Sequence, residues 1–414
     1  MAEKILKNVV VTGIGCVTPV GTGRQELWKA LVSGKSGISE ITRFDIKNFP
    51  VKVAGEVKDF YGEDFVDKKD STDLPLFILY AVASAKLAMM DASLPNEFYT
   101  PERTGIFSGC GAGGFDVAEK AMERMMSRKT FRLSPYFIPH FLPNMAAGIM
   151  AIHLGIKGET LTFANACAAG SSAIGEAYLK IRNNNLDLAV AGGTEAIITK
   201  SFIAGLSSMK ALSKKTGQNA SSPFDRFRDG FVVSEGSAFL ILENEENALK
   251  RGAKIYARIK GYGSSNDAFH LVAPDPEGKG MATSMTNALK SADLKPEDID
   301  YINAHGTSTE MNDRLETKAI KNIFKSHAKN LIISSTKSMT GHLLGASGAL
   351  EAAVSALSIY HQTAHPTINL TSPDPECDLN YLPVEACRKN IRFAISNSFG
   401  FGGVNNSIIF EKVI

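Results

Sequence analysis

Short runs of apolar and β-branched residues recur along the chain, separated by longer stretches with helical spacing. They fall at 8–12, 161–163, 186–191, 238–242, 255–259, 331–334, 392–396 and 407–410. Strand-length runs alternating with helical segments predict an α/β fold. One pattern occurs twice. The strand at 161–163 leads into Asn165-Ala-Cys167-Ala-Ala-Gly-Ser-Ser and a small-residue helix through Ala173, Ala177 and Leu179. The strand at 331–333 leads into Ser335-Thr-Lys337-Ser-Met-Thr-Gly-His342 and another such helix through Gly345, Ala346, Ala349 and Ala352. A further apolar run follows each, at 188–194 and 393–400. Two related halves, 1–252 and 253–414, fit this repetition better than two unrelated domains. The polar segments 213–217 and 219–222 read as a surface loop.

Composition narrows the function classes. The chain has 414 residues, 44% hydrophobic and 21% charged, with a formal net charge of +2, so it reads as an ordinary globular protein and not a nucleic-acid coat. No run approaches the roughly 18 consecutive apolar residues of a membrane span. The first residues contain no apolar stretch of signal-peptide length, so export is not expected. Cys16, Cys110, Cys167, Cys377 and Cys387 form no C-x-x-C pair. Such a set reads as free thiols in a reducing cytoplasm, where the Asn-x-Ser/Thr triplets at Asn219 and Asn369 carry no glycan.

Cys167 is the first candidate for chemistry. Its neighbours are all small, and a turn opening a helix presents unpaired N–H donors that favour a thiolate and hold an oxyanion. A lone cysteine is more commonly a buried small hydrophobe. Asn303-Ala-His305-Gly-Thr307-Ser-Thr309 follows an apolar run at 299–302 and precedes a charged helix expected to begin near Asn312. A single histidine there would ordinarily be structural, but His342 stands in the repeat-related turn of Cys167. Two neutral imidazoles can polarise a thioester carbonyl or hold an enolate without a full charge. Lys337, five residues before His342, needs a partner if buried, and Glu351 lies about two helical turns beyond His342. Phe399-Gly-Phe401-Gly-Gly403-Val404-Asn405 is a glycine-rich turn between two strands, as an ordinary hairpin also would be. Gly13-Ile-Gly15 lacks the third glycine and the acidic residue of a dinucleotide fingerprint, and Gly109 to Gly114 lacks the lysine and hydroxyl of a P-loop. Nor do the histidines and cysteines have zinc-ligand spacing.

Together VVVTGIGCVTPVG, NACAAGSSA, AGGTEA, FDRFRDGFV, NAHGTST, TKSMTGHLLGASGALE and SNSFGFGG resemble, over nearly the whole chain, the β-ketoacyl-acyl-carrier-protein synthases, most closely their type II elongation class. The resemblance implies a thiolase-like fold of two duplicated halves in five alternating α and β layers, and a homodimer. It implies an acyltransferase that carries an acyl chain on Cys167 and condenses it with decarboxylating malonyl-carrier protein. His305 and His342 would hold the enolate and Lys337 would orient them. The N–H groups of Cys167 and Phe401 would form the oxyanion hole, with Phe401 also gating the acyl pocket. Thr307 and Thr309 would bind the pantetheine arm, and Phe399 and Ala112 would contact substrate. Lys69, Arg128, Lys129 and Lys210 would dock acyl- and malonyl-loaded carrier protein. No cofactor is implied beyond a structural Na+ or K+ held in some members near positions matching Asn303, Glu351 and Asn397; neither nucleic acid nor membrane is implied as a partner.

Three positions depart from the family pattern. Val272 replaces a pantetheine-binding threonine, Ala112 stands where isoleucine is common at the pocket base, and Thr72 and Asp73 stand among the usual docking bases. A KAS I enzyme, a polyketide-type ketosynthase and a catalytically silent chain-length factor share much of this pattern. Cys167 in its intact turn argues against the silent partner. A thiolase would need a second reactive cysteine in a glycine-rich turn, which neither Cys377 nor Cys387 occupies.

Overall fold

The computed structural model describes residues 6–94, 100–382 and 384–413. Its main strands are β1 (Val9–Thr18), β2 (Thr104–Gly109), β3 (Thr160–Phe163), β4 (Leu188–Glu195) and β5 (Gly236–Asn244), then β6 (Ala257–Asn266), β7 (Tyr301–Asn303), β8 (Ile332–Ser334), β9 (Phe393–Phe399) and β10 (Val404–Glu411). The first set lies in the order β3-β2-β4-β5-β1 and the second in the order β8-β7-β9-β10-β6. Strand for strand these are the same topology. In each set the two pairs nearest the β3 or β8 edge are parallel and the next two antiparallel. A short antiparallel pairing, Val9 to Val11 with Ala257 to Ile259, joins the sets.

Seven helices place the layers: α1 (Leu76–Ala92), α2 (Phe115–Arg128), α3 (Met145–Leu154), α4 (Ala169–Arg182), α5 (Lys279–Ala292), α6 (Glu310–Phe324) and α7 (Ser347–His361). Helix α1 covers β1, β4 and β5 on one outer face, α5 covers β6 and β10 on the other, and α4 and α7 pack against each other between the sheets. Five alternating layers of two duplicated halves result, as the resemblance implies. Among the described residues, no helix is long and apolar enough to cross a membrane.

Glycines let these layers approach. A Cβ at Gly13 would stand 2.2 Å from the Ala88 carbonyl oxygen of α1, and one at Gly15 would stand 2.0 Å from that of Ser84. In the second half Gly261 and Gly263 meet Ala288 and Ser284 of α5 at 2.5 and 2.2 Å. The nucleotide look-alike at Gly13 and Gly15 is thus a helix-packing seam with a twin. Between the sheets, a Cβ at Gly170 would meet the Ala349 nitrogen at 2.8 Å and one at Gly348 the Ser171 nitrogen at 2.8 Å. This reciprocal contact is why both inner helices consist of small residues.

The twin glycines also align the halves. The ladder Ile14–Leu240–Ala191–Phe107 matches Tyr262–Ile408–Ser396–Asn303. Counting along β2 and β7 puts His305 at the place of Gly109, and counting along β4 and β9 puts Gly400 at the place of Glu195. Before the inner helices, Ala166 and Leu344 share a left-handed backbone, φ 47° and 45°. Cys167 therefore corresponds to Gly345 and not to His342, which stands earlier in a segment that is longer in the second half. Other differences from the sequence reading are local. Strand β2 is absent from the apolar pattern because Gly105 and Gly109 interrupt it, and Gly109 has no room for a Cβ, 2.3 Å from Ala169 backbone. Helix α6 starts at Glu310, ahead of Asn312, and the expected surface loop turns inward at Ala220, with Ser221 and Ser222 buried.

Candidate active site

Strand β3 ends in a tight 3-10 turn, Ala166–Ala168, that delivers Cys167 to the start of α4. The left-handed Ala166 turns the chain sharply enough to aim the next side chain off the strand end. Gly400 lies against this turn; a Cβ there would stand 3.3 Å from the Cys167 nitrogen. Cys167 is 4% exposed and lies in an apolar cluster with Ile198, Ile203, Leu206 and Leu344. Burial pushes its thiol up to about 12, opposed by the charge of Lys337 and by the Phe401 backbone N–H. Burial thus opposes the thiolate expected from the helix terminus alone.

His342 Nε2 lies 3.0 Å from Cys167 Sγ. Its Nδ1 accepts the Leu344 N–H at 3.3 Å and lies 2.8 Å from Ser347 Oγ. A neutral imidazole with an N–H donating onto Nδ1 carries its proton on Nε2, toward the sulfur. His305 stands beside it, ring centroids 5.5 Å apart and nearly perpendicular. Lys337 Nζ, which has only donors, lies 3.3 Å from His305 Nδ1, so the Nε2 of this ring too carries the proton. Burial, and then the Lys337 charge, holds both imidazoles well below their ordinary pKa, which keeps them neutral donors.

Lys337 also donates to the His305 carbonyl at 2.7 Å and forms an ion pair with Glu351, both side chains being buried. Glu316 of α6 accepts the N–H groups of His305 at 2.9 Å and Gly306 at 2.8 Å, fixing the strand end. Burial raises both carboxyls to about 7. Among the described residues, Glu351 Oε2 has no hydrogen-bond partner. Asn397 donates to Glu316 at 3.3 Å and Asn303 to Thr336 at 3.2 Å. A leftover buried carboxylate oxygen in this polar network is suited to a monovalent cation; among the described residues, no group of three or more His, Cys, Asp or Glu side chains could hold a metal ion.

Cys167, His305 and His342 meet in a cavity of about 460 Å³ whose wall includes Thr307, Thr309, Val272, Lys210, Phe399 and Phe401. The two threonine hydroxyls are 2.9 Å apart. Phe399 packs its ring on His305 at 5.6 Å. Ala112 lies outside that wall, in the apolar cluster that surrounds Cys167. Lys69, Arg128 and Lys129 are exposed away from the cavity, and Lys210 is exposed on its rim. Sequence reasoning missed Glu316, Ser347 and Arg228. Arg228 donates to the carbonyls of Thr309 at 3.0 Å and Glu310 at 2.9 Å, pinning the threonine turn. Its motif was visible, but no spacing rule links it to residues eighty positions on.

The chain matches the model of the β-ketoacyl synthase N-terminal domain over residues 6–248 and that of the C-terminal domain over 256–371. The chain belongs to the β-ketoacyl synthase family. A Synechocystis protein named 3-oxoacyl-[acyl-carrier-protein] synthase 2 is 46% identical over 414 residues, all of each chain. One of the same name from Staphylococcus aureus is 46% identical over 98% of each, and one from Coxiella burnetii is 45% identical over 98% of this chain and 99% of that one. Two solved structures align at TM-score 0.91 over 99% of this chain and 100% of theirs. One is a type II polyketide acyl-carrier protein in complex with its ketosynthase bound to the hexaketide, 34% identical; the other is a β-ketoacyl synthase from Burkholderia phymatum, 33% identical. The architecture is the thiolase-like fold of the ketosynthases.

Proposed function

We propose that this β-ketoacyl synthase elongates fatty acids by decarboxylative Claisen condensation of malonyl-carrier protein with an acyl chain held on Cys167. The observation that carries the reading is the 3.0 Å approach of His342 Nε2 to the sulfur with His305 beside it, in a cavity of about 460 Å³ lined by Thr307 and Thr309. Cys167 attacks the acyl thioester and displaces the carrier thiol, which leaves with the proton of the cysteine. The N–H groups of Cys167 and Phe401 hold the developing oxyanion. Malonyl-carrier protein then enters along Thr307 and Thr309. Its thioester oxygen takes hydrogen bonds from the Nε2–H groups of His305 and His342 as carbon dioxide leaves. The enolate carbon attacks the acyl carbonyl, and the new bond releases the Cys167 sulfur. The Lys337 charge helps keep both rings neutral and its contact with Nδ1 sets the proton position on His305, and Phe399 and Phe401 line the entry.

Exposed Lys210 at the rim, with Lys69, Arg128 and Lys129 on the surface, suits an acidic carrier and mainly sets encounter rate. A bound Na+ or K+ would lie near Glu351, Asn397 and Asn303 and would stabilise the buried carboxylates there. We assign the chain to the cytoplasm, in keeping with its five free thiols, and divide it at 252/253. A homodimer is supported by the edge strand β3, where Leu161 is exposed, and by further exposed apolar side chains at Ile152 on α3 and at Met122 and Met126 on α2. Relatives at 45–46% identity favour fatty-acid over polyketide elongation.

The test is incubation with acyl-carrier protein, peptide mass spectrometry of the adduct and the same experiment on Cys167→Ala. An acyl group on Cys167, absent from the variant, is expected. Acylation elsewhere, or undiminished condensation by the variant, removes the nucleophile assignment.

A further inference from the structure

Glu195 ends β4 completely buried, and the chemistry above gives it no role. Its Oε2 accepts the N–H of Gly111 at 2.8 Å and of Gly345 at 3.1 Å; its Oε1 accepts the N–H of Ala112 at 3.0 Å and lies 3.7 Å from the Cys110 sulfur. Among the described residues, no cation is within ion-pair distance. Burial holds the Glu195 carboxyl above its ordinary pKa, opposed by three backbone donors drawn from two separate turns. Two of the donors must be glycine, because a Cβ would stand 2.8 Å from Oε2 at Gly111 and 2.6 Å from it at Gly345.

The two turns serve different parts of the site. Gly111 and Ala112 follow β2 and reach the apolar cluster around Cys167. Gly345 follows Leu344, whose N–H sets the proton position on His342. One side chain spans both. We propose that Glu195 is a positioning residue that locks the acyl-side wall at Ala112 to the turn seating His342, so that chain-length selection and the Cys167–His342 geometry are set together. This rests on the reading of Cys167 as the acyl carrier. A chain that displaces Ala112 pulls on Oε1, and the same carboxylate transmits the pull through Oε2 to Gly345.

Glu195→Gln keeps the shape but turns an NH2 group against at least one of the three donors. It also removes a negative charge that acts on Cys167, whose other charged or titratable neighbours are Lys337, Glu351 and His342. The experiment uses the full chain and measures single-turnover acylation of Cys167 from carriers loaded with increasing chain lengths. It also measures the KM for malonyl-carrier protein, the pH profile of Cys167 alkylation by iodoacetamide, and Tm. In Glu195→Gln, acylation by the longest accepted chains is expected to fall roughly 10- to 100-fold, with short chains less affected, as for a small misplacement of reacting groups. The malonyl KM should stay constant, and the alkylation midpoint should move to lower pH. Equal losses at every chain length with a fixed midpoint, or no change at all, would overturn the proposal. Should Glu195→Gln fail to fold, Glu195→Asp, which keeps the charge but shortens the reach to the three donors, should show the same loss at the longest chains with the alkylation midpoint unmoved, and equal losses at every chain length would overturn the proposal. If Cys167→Ala still condenses, the underlying reading fails whatever Glu195→Gln does.

Discussion

Lys337 shows how a buried charge is used here. Its ammonium is neutralised by Glu351 and spends its remaining donors on His305, so each partner depends on the others. Glu351→Ala leaves that ammonium buried and unpaired, and stability measured by urea denaturation is expected to fall by about 3–5 kcal/mol. Lys337→Met frees the tautomer of His305, so malonyl decarboxylation should fall on the order of 100-fold with the acylation of Cys167 less affected. Because both imidazoles are held well below their ordinary pKa, the rate of carbon dioxide release should stay flat from pH 8 down through pH 6.5; a drop centred near 6.5 would show an imidazolium that the site does not favour. His365, pushed down to about 4 by burial, gives a stability test. The unfolded chain takes up its proton first, so His365 contributes stability above pH 6.5 that is lost as pH falls toward 4. Glu316 and Glu351, raised to about 7, act in the opposite sense, so the comparison must be with His365→Gln, whose urea midpoint should fall less over that window. Of these residues the sequence showed the cysteine, both histidines and the lysine through their turns. Glu316 was hidden because a helix six residues past Glu310 brings it back under His305, which no local pattern records.

At the scale of elements, the seam between α4 and α7 is close on both sides. Gly170→Ala or Gly348→Ala would set a Cβ 2.8 Å from a backbone nitrogen of the opposing helix, and each should lower stability by about 1–3 kcal/mol in urea denaturation. The two helices were legible as small-residue segments after strands. Their mutual contact was not, since only the pairing of the sheets brings Gly170 and Gly348 face to face. Strand β2 was hidden for a related reason: Gly109, one of the two glycines that break its apolar pattern, is the one α4 needs beneath it.

For the whole molecule, the repeat was readable because both halves place reactive turns after strands, yet the register of the repeat was not. Cys167 and His342 seemed to share a position until the ladders matched Cys167 with Gly345. The free β3 edge belongs to this scale as well. Leu161→Asp should shift the protein toward monomer in analytical ultracentrifugation; an unchanged mass would place the interface elsewhere.

The same ladders assign Glu195 to the place of Gly400. Where one half pairs a cysteine side chain with an empty glycine, the other pairs an empty glycine with a carboxylate. Internal symmetry would otherwise endow each polypeptide with two reaction chambers; here the second is plugged from within. Each polypeptide therefore carries one such chamber, and ejecting the plug would leave a void beside the Cys110 sulfur.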